Sequence, residues 1–139
     1  MSAILTPEER VTLKMAAYGA VTLVSLADPG VVSTTRESMA GSKALSGSTG
    51  LVGTILAGKD KFKLKGRTAA EVADVVLPAL SSTVELLESQ DPSEAGNFRS
   101  TVTIAMRQAA AATGGPSPAQ SAMIDKVRAA LGETNGSPG

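Results

Sequence analysis

The chain has 139 residues, 42% of them hydrophobic, with thirteen basic and thirteen acidic side chains. That is the length of one domain, with no net charge to draw it toward nucleic acid or anionic lipid. Zero cysteines and zero histidines exclude disulfides, thiolate and imidazole metal sites, Ser-His-Asp triads and Cys-His nucleophile pairs. Tyr18, Phe62 and Phe98 are the only aromatic residues, which argues against base-stacking platforms and a β-sandwich core. The core must come from Ala, Val, Leu and Met.

The first element opens on Thr6-Pro7-Glu8-Glu9, where a hydroxyl can satisfy free backbone N–H groups and a carboxylate three residues later can reach back. The spacing predicts a helix from about Pro7 to Ala27, with Leu13, Ala17, Val21 and Val24 on one stripe and Val11, Met15, Tyr18 and Thr22 on the next. A helix apolar almost all round belongs in the middle of a bundle. Its most apolar run, Met15 to Ala27, is thirteen residues and falls short of the roughly 20 that span a bilayer. The start lacks the basic n-region of a secretory signal, and the expected location is cytoplasmic.

Asp28-Pro29-Gly30 stops this helix. A short polar helix is expected from Thr35 to about Ser46 behind the cap Thr34-Thr35-Arg36-Glu37, and Leu51 to Ala57 can add a turn or two. Gly53-Thr54-Ile55-Leu56-Ala57-Gly58-Lys59-Asp60 misses a phosphate-binding loop by one residue. Asp60 stands where that loop needs a hydroxyl for magnesium, and apolar Ile55 and Leu56 sit inside it, so the stretch reads as an interhelix connector. Next come Lys59, Lys61, Lys63, Lys65 and Arg67, all on odd numbers. In extended chain these share one face, a basic ribbon able to hold phosphate, a lipid head group or an acidic protein surface, or simply a solvated loop.

Thr68-Ala69-Ala70-Glu71 opens the next helix, with Val72, Val76, Leu80, Val84 and Leu87 as its stripe and Pro78 expected to kink or split it. Asp91-Pro92-Ser93-Glu94 starts another, carrying Phe98, Val102, Ala105 or Met106, and Ala109. From Thr68 to Phe98 there are acids and no base; Glu85 and Glu88 share a face but gather too few ligands for a cation site. After Thr113-Gly114-Gly115-Pro116, the cap Ser117-Pro118-Ala119-Gln120 begins a last helix with Met123, Val127 and Leu131 inward. The expected architecture is an all-α, compact helical bundle of five to seven helices. Residues 1–131 form one domain with an irregular connector at 41–67, and residues 132–139 form a tail. The two long-helix, Gly-break, capped-helix passages are either ordinary αα-hairpins or pseudo-symmetric halves.

The order acid, Gly, apolar, small hydroxyl, Glu in Asp28-Pro29-Gly30-Val31-Val32-Ser33 through Glu37 resembles the signature of the tellurite-resistance B-like (TerB-like) helical family. The stretch from Phe98 through Gly114-Gly115-Pro116-Ser117 to Leu131-Gly132 is similar to its second occurrence. The resemblance implies a bundle of two related halves without enzymatic activity, a link to membrane-associated stress-response complexes, and a divalent metal held by Asp28 and Glu37. This chain departs by placing Pro29 between the acid and Gly30, and by carrying Gly114, Gly115 and Gln120 where further carboxylates belong. Apart from the resemblance, Glu37 closes a capping box with Thr34, and Asp28 caps a turn.

The reading of function is a non-enzymatic binding or scaffolding domain, touching a protein partner or an anionic surface through Lys59, Lys61, Lys63, Lys65 and Arg67. It needs no cofactor unless a divalent cation binds, and it reads no nucleic-acid sequence. Peripheral membrane contact fits the ribbon; a transmembrane span does not. Two rivals stay open: a divalent-metal- or anion-sensing module, and an enzyme working with a carboxylate and lysine acid-base pair.

Overall fold

The structure is a computed structural model that describes residues 5–27, 45, 47, 49–58, 68–112 and 116–132. Among them are five helices and no strand: α1 (Pro7–Ala27), α2 (Gly50–Leu56), α3 (Ala69–Gln90), α4 (Pro92–Ala111) and α5 (Pro118–Ala130). The expected all-α bundle is what forms. The connector 41–67 contains α2, in which apolar Ile55 and Leu56 are buried. The expected helix from Thr35 to Ser46 and the front Gly break lie outside the described residues, except that Leu45 is fully buried in the core.

The helix starts follow their capping chemistry. Thr6 N–H donates to Glu9 Oε1 at 2.8 Å while Glu9 N–H donates to Thr6 Oγ1 at 3.1 Å. The same reciprocal pair joins Thr68 to Glu71 and Ser117 to Gln120, each offsetting two N–H groups left over at a helix start. The Asp91 start differs. Asp91 Oδ1 accepts from Ser93 N–H at 3.2 Å and from Ser93 Oγ at 2.6 Å, and Glu94 does not reach back, because its carboxylate is used on α2. The Ser93 hydroxyl, with the Ser93 and Glu94 backbone bonds behind it, holds the Asp91 carboxyl below the ordinary carboxylate range.

α1 packs against each of the other four helices, as an element apolar on most of its circumference must. Its Leu13, Ala16, Ala17, Ala20, Leu23 and Val24 are inaccessible to solvent, while Met15 and Tyr18 lie half-buried against the core. On α3 the stripe Val72, Val76, Leu80, Val84 and Leu87 is buried throughout. Pro78 does not split this helix. It sits on the exposed side of an unbroken segment, where water can satisfy the carbonyl left without a donor, and Val76, Ala79 and Leu80 hold the turn from the other side.

α4 buries Phe98, Val102, Ala105, Met106 and Ala109, so both Ala105 and Met106 face the core rather than one of them. Each large apolar side chain sealed in this way contributes about 2 kcal/mol. On α5 the inward face is Gln120, Ile124, Val127 and Leu131; Met123 is only partly covered. Gln120 tolerates burial because its Nε2 donates to Val24 O at 3.3 Å, tying the start of α5 to the last turn of α1. At the other end Ser81 Oγ donates to Ala130 O at 2.9 Å and Arg99 Nε to Leu131 O at 2.8 Å, satisfying carbonyls that the helix leaves open.

Candidate functional site

All the residues marked by sequence for binding lie outside the described residues: the basic ribbon Lys59, Lys61, Lys63, Lys65 and Arg67, and the acids Asp28 and Glu37. What the structure does place is the chain on both sides of the ribbon, and it holds each side by specific bonds.

On the upstream side is α2, a seven-residue helix that packs on α1 and α4. Seven residues are far too few for a helix to persist alone, so its position depends on what grips it. Its N-cap residue Thr49 makes no side-chain cap bond. The missing acceptor comes from α4, where Glu94 Oε1 accepts from Val52 N–H at 3.1 Å and Asn97 Nδ2 donates to Thr49 O at 2.8 Å. Gly50, between them, has φ +77°, and a Cβ there would come within 2.9 Å of Glu94 Oε2. Glycine is required here both for the left-handed backbone and for the space.

The other end of α2 is gripped by α1. Tyr18 Oη donates to Leu56 O at 3.3 Å, and Lys14 Nζ donates to Gly58 O. Burial of the Tyr18 ring raises its hydroxyl pKa above the ordinary value. A carboxylate at the N-terminus and an ammonium just past the C-terminus complement the helix dipole at both ends. On the downstream side, Thr68 begins α3 within its capping box with Glu71. The basic stretch therefore departs from a carbonyl held by Lys14 and ends at a capped helix start.

Sequence reasoning passed over the groups that do this holding. Lys14 interrupts an otherwise apolar helix, and a lysine in that setting signals a needed acceptor. Glu94 and Asn97 carry no such mark, since a carboxylate in a first helical turn already has a local explanation. Elsewhere, the shared face of Glu85 and Glu88 is not a cation site: Glu88 Oε1 pairs with Arg99 Nη2 at 2.9 Å, and the described residues hold no group of three or more possible metal ligands.

Two surface grooves also lie among the described residues. One, of about 310 Å3, lies between α1 and α3 and is lined by Glu8, Glu9, Thr12, Ser82, Thr83 and Leu86. The other, of about 380 Å3, lies between α4 and α5 and carries Arg107, Ser121, Asp125 and Arg128. No helix among the described residues is long and apolar enough to cross a membrane. Compared with known proteins, the chain matches no family model, no curated protein and no solved structure.

Proposed function

We propose that the chain is a non-enzymatic binding or scaffolding domain that engages an anionic partner through Lys59, Lys61, Lys63, Lys65 and Arg67. The observation that carries this reading is the double anchorage of the segment: Lys14 holds the carbonyl of Gly58 just before it, and the Thr68–Glu71 capping box fixes the helix that follows it. A cationic segment tethered at both ends loses less freedom when it binds than a free tail does. Five positive charges within nine residues supply the attraction. The resemblance to the tellurite-resistance B-like family adds the setting, a stress-linked assembly in which the domain contacts rather than transforms its partner.

The test measures binding of three polyanions by fluorescence anisotropy: inorganic polyphosphate, an acidic polyglutamate peptide, and vesicles containing phosphatidylserine. The wild-type protein is expected to bind at least one of them in a salt-sensitive way. The triple variant Lys61→Glu, Lys63→Glu, Lys65→Glu should lose that binding at least tenfold while keeping its helical circular dichroism. Unchanged binding by the triple variant, or no binding of any probe by the wild type, overturns the reading.

A further inference from the structure

We draw no further inference here: the strongest candidate, the groove between α1 and α3 with Glu8 and Glu9 on its wall, carries nothing because these are first-turn carboxylates, Glu9 already closes the capping box with Thr6, and nothing in the structure shows what covers it.

Discussion

Lys14 shows how a single side chain can be costly and indispensable in the same structure. An ammonium inside an apolar helix is strongly unfavourable without acceptors, and its bond to Gly58 O supplies one while placing positive charge where α2 exposes its carbonyls. Gly50 is the counterpart at the other end. Gly50→Ala must adopt a left-handed backbone and push against Glu94 and Asn97, so a loss of about 1 to 2 kcal/mol is expected from urea unfolding. An unchanged midpoint would show that the close approach around Gly50 is wrong. Tyr18 makes a pH-dependent prediction. Its folded-state pKa is raised by burial above the unfolded value, so its contribution to stability is complete below the unfolded pKa and disappears as pH rises through the folded one. Tyr18→Phe should therefore flatten the alkaline limb of the melting-temperature profile, and the same limb in both proteins would contradict the burial. Neither Gly50 nor Tyr18 was legible as special, because one of many glycines and one hydroxyl on a half-apolar stripe gain meaning only from what folds against them.

Elements with a local cause were readable, and those with a distant cause were not. α1 matches its expected bounds because periodicity, cap and Pro-Gly stop all lie within the segment itself. The stripe of α3 was readable for the same reason, whereas the tolerance of Pro78 depends on which side of the helix the bundle leaves open. The turn or two expected at Leu51 to Ala57 forms as α2, but what holds it was not readable there, because its caps come from Glu94 and Lys14, on two other helices. This distribution predicts coupling. If α2 docks as one unit, Lys14→Met and Glu94→Gln each release it, and the double variant should lose less stability than the sum of the singles, by about 0.5 to 1 kcal/mol. Strict additivity in a thermal or urea double-mutant cycle would mean that the two ends of α2 act independently.

At the scale of the whole molecule, the fold class was legible and the proposed binding surface only in part. Among the described residues, four helices packed on a central α1 follow from an apolar pattern that covers most of the first helix and leaves one clear stripe on each of the later long ones. The alternation of Lys59, Lys61, Lys63, Lys65 and Arg67 was visible in one dimension, but its anchorage was not, since Lys14 lies more than forty residues away in sequence. The Arg107 and Arg128 groove was equally hidden, because two isolated arginines on different helices form no motif until the helices pack. The ion count of the complex tests the central claim, that a bundle pins a cationic segment for an anionic partner, most directly. Binding of inorganic polyphosphate should weaken with salt along a log–log slope of about −3 to −4, the value for five basic groups releasing counterions at roughly 0.7 each. In the Lys61→Glu, Lys63→Glu, Lys65→Glu variant the slope should collapse toward zero. A wild-type affinity insensitive to salt, or an equal slope in the variant, would contradict the account.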